Sequence, residues 1–461
     1  MKRINFENGT ITQNILGAAL PLLVAQIISL LYNIVDRIYI ARIPDVGTAA
    51  LGGVGLCFPI VILIAAFSNL FGSGGAPIFS IKRGMKDDAS ADTIMNLSFT
   101  MLCLSAVILT LAGLIFARPL LVLFGASEDA LLYAQPYLMI YVLGTLPSML
   151  STGLNPFINA QGYSTMGMLT VAIGALANFI LDPIFIFVFH LGVRGAAIAT
   201  ILSQTLSALF VLRFLRTKAE LKIRLLNRKE FLANTNYIKE ILSLGTAGFI
   251  MQATNGLVSI CCNSVLASTG GDLYVSVMTI LSSVRQMIET PIYAISEGSS
   301  PVISYNYGAG RPDRVKKAIL TMSWMALLYV GIAWSIIILA PKALLSIFSS
   351  DEILLADAIP ALKIYFAAFI FMLFQYIGQT TFKSLNKKKQ AIFFSILRKV
   401  VIVAPLTYLL PYAMNLGPNG VFIAEPVSNV IGGTLCFITM LLTVIPELKQ
   451  MKRLQKKETI E

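Results

Sequence analysis

Four oxygen-bearing side chains stand in otherwise apolar stretches: Asp36, Asn178, Asp182 and Thr200. A charge surrounded by hydrocarbon is costly, so each carboxylate needs a partner, a water-filled cavity or a task. Asn178 and Asp182 are four residues apart, which on a helix puts them on one face. If the elements carrying these residues pack together, two carboxyls, an amide and a hydroxyl converge. Two carboxylates in one low-dielectric pocket cannot both stay ionised cheaply, so such a set would take up a proton. The same oxygens could also ligate a small hard cation such as Na⁺. Plainer readings exist. Asp182 precedes Pro183 and could satisfy backbone groups freed at a helix kink. Asp36 could pair with Arg37, although adjacent helical residues point about 100° apart; snorkelling toward the interface is the simpler fate of Arg37.

A second set of charges lies further along: Arg285, Glu289, Glu297, Arg398 and Glu425. Arg285 and Glu289 are spaced for an ion pair along one helix. Glu297 and Arg398 are read as a buried pair. Alternatively, Glu289, Glu297 or Glu425 faces a central cavity and attracts cations. Long amphipathic side chains that could line such a cavity are Tyr32, Tyr141, Phe157, Met287 and Tyr293. Aromatic and Met-rich walls suit flat cations through stacking and cation–π attraction.

Other chemistries find little support. His190 is the single histidine, and Cys57, Cys103, Cys261, Cys262 and Cys436 lack metal-ligand spacing. No Ser/His/Asp set and no phosphate-binding glycine loop is evident, so an enzyme is not expected and neither is a cofactor. The net charge is +12. Its basic residues fall in short runs between apolar blocks, which argues against a nucleic-acid partner.

The elements that must position these residues follow from composition. Hydrophobic residues make up 56% of the 461 and charged residues 13%, and the mean hydropathy is +0.79. Twelve apolar blocks are long enough to cross a lipid core of about 30 Å. They are 13–41, 49–81, 92–116, 130–159, 165–189 and 193–215, then 237–266, 273–305, 316–340, 356–385, 390–413 and 418–446. They must be helices, because lipid offers backbone groups no partners. The first block follows no short signal-type segment and reads as a retained span. With the N-terminus in the cytoplasm, 26 of the 35 Lys and Arg residues fall in inner segments and 4 in outer loops. The positive-inside rule then puts both termini on the cytoplasmic side of a cell (inner) membrane. Pro21 sits early in the first block and either bends it or occupies its N-terminal turn. Gly72, Gly74, Gly75 and Pro77, and the matching Gly298 and Pro301, either kink their helices or allow close packing.

The chain also repeats itself. Pro77, Ser80 and Gly84 align with Pro301, Ser304 and Gly308, and Pro136 and Tyr141 with Pro360 and Tyr365, all at an offset of 224 residues. Gly192 to Gln204 aligns with Gly417 to Asn429 at 225. The expected architecture is therefore an all-α polytopic membrane protein. Its twelve transmembrane helices form two six-helix lobes related by a pseudo-two-fold axis along the membrane normal. Residues 1–215 form the first lobe, 216–236 a basic cytoplasmic linker and 237–461 the second lobe with a short basic tail. The linker is either a solvated loop or a short helix on the anionic leaflet. Under the repeat, Asp36 maps to Ile260, Asn178 to Val403, Asp182 to Thr407 and Thr200 to Glu425, so ion handling is expected of the first lobe alone.

Several segments together resemble one known family. YNIVDRIYIARIPDVGTAALGGVG from Tyr32, ANFILDPIFIF from Ala177, GVRGAAIATILSQ from Gly192 and EGSSPVISYNYGAGRPDRVK from Glu297 look like the multidrug and toxic compound extrusion (MATE) family, in its MepA-type bacterial branch. The resemblance covers nearly the whole chain. It implies alternating access between two lobes and efflux of cationic or amphipathic organic compounds in exchange for H⁺ or Na⁺, a route to antibiotic resistance. It further implies that Asp36, Asn178 and Asp182 form the cation-coupling cluster, with Thr200 a weaker match. Another branch carries acids in the seventh and tenth spans, where this chain has Gln252 and Gln375, which puts a second-lobe cation site of that type in doubt. A flippase or exporter of lipid-linked or oligosaccharide substrates is the alternative; it would need a wide cationic cavity, whereas the embedded cations here are few and some have acids nearby. The expected partners are the bilayer and small organic substrates, with the transporter a monomer.

Overall fold

A computed structural model of the chain describes residues 3–44, 46–124, 126–348 and 351–458. Lys2 and residues 459–461 of the basic tail, both assigned above to the cytoplasm, lie outside them. The described residues form an all-helical protein, as apolar blocks of this length require. Among the described residues nine helices are long and apolar enough to cross a membrane: α1 (Ile11–Ala41), α2 (Ala49–Gly84), α3 (Asp88–Leu123), α5 (Ser164–Val188), α6 (Gly192–Thr217), α7 (Thr235–Gly271), α9 (Pro312–Leu339), α11 (Lys388–Ala413) and α12 (Pro418–Gln455). Two bent pairs supply α4 (Glu128–Leu143 with Thr145–Ala160, bent by 58°) and α10 (Glu352–Tyr365 with Phe369–Ser384, bent by 50°). The twelfth, α8, is residues 272–308, which run on from α7 as continuous helix except at Gly271. Its charges, Arg285, Glu289 and Glu297, set it apart from the apolar eleven.

Gly271 has φ +70°, a conformation that side chains with a Cβ rarely adopt, and so it marks the turn where α7 gives way to α8. Pro21 lies in the third turn of an unbroken α1, which removes the N-terminal-turn reading. The glycines of α2 pack closely. A Cβ on Gly72 would lie 2.4 Å from the carbonyl oxygen of Gly153, and one on Gly74 would lie 2.5 Å from that of Ile241. These positions let backbones approach, the duller of the two accounts above.

The chain separates into two compact units. One comprises Pro21–Phe249 with the first residues of the chain, the other Asn5–Leu20 with Ile250–Glu461. Within the first unit α5 lies along α6, α6 against both parts of α4, and α2 along α3. Its core is built on Phe71, Phe79, Phe157, Met95 and Leu102. The linker is held onto this unit: Leu221 N–H donates to Gln161 at 3.0 Å and Arg224 N–H to Asn96 at 2.8 Å. It contains one short helix, Arg228–Ala233, started by a reciprocal Asn227–Glu230 cap. Within the second unit α10 packs against α9 and α12. Its helices carry π-helical turns at Leu397–Val403 and Leu409–Ala413 in α11 and at Asn429–Gly433 in α12. Such turns widen a helix locally and often coincide with functional sites.

Candidate functional site

The first unit brings Asp36, Asn178, Asp182 and Thr200 into one pocket. Asn178 and Asp182 ride on one face of α5, just before Pro183 and the π-helical turn Ile184–Val188. The Asn178 amide donates to Asp182 Oδ1 at 3.0 Å and also reaches Thr200 Oγ1 of α6 at 3.5 Å. The Thr200 hydroxyl spends its proton on the Ala196 carbonyl at 2.9 Å, so its oxygen faces the pocket as an acceptor. Asp36 of α1 turns its carboxyl toward that of Asp182, within hydrogen-bonding reach. Asp182 is fully enclosed, and Asn178 and Thr200 are 2% and 3% exposed. Buried oxygens Oδ1 of Asp36 and Oδ2 of Asp182 receive no hydrogen bond from a described residue. Acceptors thus outnumber donors, in a place where an unmatched acceptor is expensive. Two carboxyls this close cannot both stay ionised cheaply.

Pro183 does not explain Asp182, because its carboxyl is turned to Asn178 and Asp36. Arg37 forms no ion pair with the Asp36 carboxyl and acts on it only as a neighbouring charge; it is exposed, with its guanidinium 4.6 Å from the centroid of the Phe58 ring. Tyr32, placed above among substrate contacts, is part of this pocket, with its hydroxyl in reach of Thr200. Tyr141 stands beside Asp36, stacked on Tyr137 with centroids 6.0 Å apart. Tyr137 is the residue that sequence reasoning missed. Its signal was present, since Tyr133, Tyr137 and Tyr141 recur every four residues of α4. Phe157 is corrected: it is wholly buried, edge-on to Phe79 at 5.6 Å, and belongs to the core instead of a cavity wall.

The second unit has no such pocket at the equivalent positions. Ile260 is 66% exposed, and buried Thr407 sits 3.8 Å from the Cys262 thiol. Its charges pair among themselves. Arg285 Nε bonds Glu289 at 2.5 Å, as their spacing suggested. Glu297 pairs with Lys383 at 2.9 Å, which corrects the expected Glu297–Arg398 pair. Arg398 instead meets Glu425 at 2.5 Å, as do Arg285 at 2.7 Å and Lys399 at 3.3 Å. The wide turn at Leu397–Val403 lets adjacent residues of α11 reach one carboxylate of α12. Tyr293 stands near Glu297, and Met287 is 42% exposed on α8. Neither Glu289 nor Glu297 is therefore an unengaged acid. Gln375 donates to the Phe394 carbonyl at 3.3 Å. Among the described residues no group of three or more His, Cys, Asp and Glu could hold a metal ion.

A polytopic helical protein with an enclosed carboxyl pair in one of two duplicated units is built as a membrane transporter. The MatE family model matches residues 21–184 and again 248–409, and the chain belongs to this family of multidrug and toxic compound extrusion transporters. The two matches mirror the internal repeat. Multidrug export protein MepA of Staphylococcus haemolyticus is 27% identical over 360 residues, 78% of each chain. The MepA of Staphylococcus aureus strain NCTC 8325 is 25% identical over 444 residues, covering 95% of this chain and 94% of its own. A solved MATE structure in a bent conformation superimposes with a TM-score of 0.90 at 23% identity, over 98% of this chain and 99% of that one.

Proposed function

We propose that the protein is a secondary active antiporter that expels cationic or amphipathic organic compounds in exchange for H⁺ or Na⁺ by alternating access. The observation that carries the reading is the carboxyl pair of Asp36 and Asp182, which lie against each other with the Asn178 amide as the one amide donor to the pair among the described residues. An ion entering there relieves a repulsion that the fold itself creates, and its departure restores it. Such a pair can thereby weight one conformation against another as it loads and empties. Asn178, Thr200 and Tyr32 hold the oxygens in place. The coupling ion is cargo, and no other cofactor is required. The MepA relatives are named as multidrug export proteins, which supports organic drugs as the substrate class here. The distribution of Lys and Arg supports a cell (inner) membrane protein with both termini in the cytoplasm, and the proposed transporting unit is a monomer.

The test is efflux of ethidium from proteoliposomes with ΔpH and a Na⁺ gradient imposed separately. Wild-type protein should respond to one of them, and Asp36→Asn should respond to neither while reaching the membrane in normal amount. Gradient-driven efflux by Asp36→Asn at the wild-type rate would remove the cluster from the mechanism.

A further inference from the structure

Five buried or half-buried charges of the second unit form one connected group that does not balance. Arg285, Arg398 and Lys399 supply three cations; Glu289 and Glu425 supply two carboxylates. Glu289 serves Arg285, and Tyr376 also donates to it at 3.4 Å. All three cations then converge on the single carboxylate of Glu425, chiefly on Oε1. The remaining contacts are neutral: Tyr365 hydroxyl with Arg285 at 2.7 Å, and Asn429 Oδ1 with Arg398 at 2.7 Å. Arg398 is 7% exposed, yet its Nε–H has no acceptor among the described residues. A buried guanidinium donor without a partner is as unusual as an uncompensated buried charge. Arg398, Lys399 and Asn429 lie on the π-helical turns of α11 and α12. The group is closed at its Arg398–Lys399–Glu425 end, where side chains are 6–9% exposed. It opens toward Arg285 and Glu289, which are 16% and 22% exposed.

We infer that this group is an anion-accepting subsite in the second lobe, built to receive a carboxylate or sulfonate carried by the transported compound. An incoming carboxylate completes the balance of three cations and gives the free edge of Arg398 its acceptor. The guanidinium fork favours a planar oxyanion over a compact one. This deepens the transport reading above and rests on it: the favoured substrates are zwitterions with a cationic body and an anionic group, since the second-lobe acids are already engaged and cannot greet a cation.

The test uses two xanthene dyes with the same cationic ring, one with a free carboxylate and the other its methyl ester, in proteoliposomes of the full-length protein. The acid should show a KM at least about tenfold below that of the ester, the value of one charge-assisted hydrogen bond. Lys399→Met removes the surplus cation and leaves two against two, so it should fold, and the ratio of KM values should fall to within about twofold of one. Transport of both dyes by wild type with equal KM overturns the subsite and leaves the exporter reading intact. A preference that survives in Lys399→Met also overturns it. Transport of neither dye under any gradient refutes the exporter reading instead. Should Lys399→Met fail to fold, thermal melting of the wild type in detergent decides. Benzoate should raise the transition above that with equimolar benzamide, and equal transitions would overturn the subsite.

Discussion

Glu425→Gln should be among the most damaging single substitutions in the second lobe, although it removes one charge and almost no volume. The Glu425 carboxylate is 6% exposed and meets Arg398 at 2.5 Å, Arg285 at 2.7 Å and Lys399 at 3.3 Å. The amide keeps an acceptor for one of them and cancels none of their charge, so three cations would face Glu289 alone. Breaking a buried pair from one side costs about 3–5 kcal/mol, because the partner is left charged and desolvated. At about 2–4 °C per kcal/mol for a unit of this size, the melting transition in detergent should fall by roughly 6–20 °C. The sharper test is the double variant. Lys399→Met in the Glu425→Gln background removes one of the stranded cations and should recover about 1–3 kcal/mol, a coupling far above the about 0.5 kcal/mol expected of independent sites. A loss below about 1 kcal/mol for Glu425→Gln, or strictly additive effects in the pair, would show that the cations are satisfied elsewhere and would refute this accounting.

Further outcomes follow from other contacts. Asn178→Leu should leave Asp182 without its amide donor, costing about 1–3 kcal/mol in detergent melting and slowing gradient-driven ethidium efflux; unchanged efflux would remove Asn178 from the pocket's function. Gly245→Ala should sharply lower the yield of folded protein in detergent extracts, since its Cβ would lie 1.9 Å from the Leu70 carbonyl oxygen; wild-type yield would refute the close approach. Asp87 caps α3 on a loop outside the spans, and its bonds to Ser90 hold its carboxyl below the usual range. Its capping is present above the ordinary carboxylate pKa and lost as pH falls through the depressed value. Asp87→Ala should therefore cost about 1 kcal/mol at pH 7 and progressively less in acid below about pH 4, read from melts across pH; a difference constant down to pH 2 would refute the charge's part.

Much of this was legible in the chain because lipid leaves few choices. Apolar length dictates helices, and eleven of the twelve spans pass on length and composition alone. The exception is instructive: α8 is obscured by Arg285, Glu289 and Glu297, the residues that give it a role. The acid cluster was readable because a carboxylate in an apolar helix demands an explanation, and i to i+4 spacing ties Asn178 to Asp182 before any fold is known. Pairing across helices was not readable. Nothing local says that Glu297 meets Lys383 and not Arg398, because that depends on helix rotation set by packing. Adjacent Arg398 and Lys399 reaching one carboxylate also contradicts ordinary α-helical geometry and becomes intelligible only with the π-helical turn. Phe157 was misread for a related reason: an aromatic in a span looks alike whether it faces a cavity or Phe79.

The two halves share their helices but differ in their charges. Where the first half has Asp182 and Thr200, the second has Thr407 and Glu425, so the acid and the neutral hydroxyl exchange places between the matched positions. Had both halves kept the acid pair, two cation-demanding pockets would have had to fill and empty together. In the group around Glu425 in the second half, three cations instead face two acids and leave a surplus of one. The two halves thus carry opposite electrostatic demands, acceptor-rich in one and donor-rich in the other. Opposite demands allow one protein to bind a positive ion and an anionic group at separate places, with neither site competing for the other's ligand. Reversing Lys399 to Glu should therefore turn the second-lobe group from a surplus of one cation to a surplus of one acid. The dye preference should then invert toward the methyl ester, while the response to ΔpH or Na⁺, which the proposed function assigns to Asp36 and Asp182, keeps the same ion. A change of coupling ion in Lys399→Glu would show that the two sites are not independent.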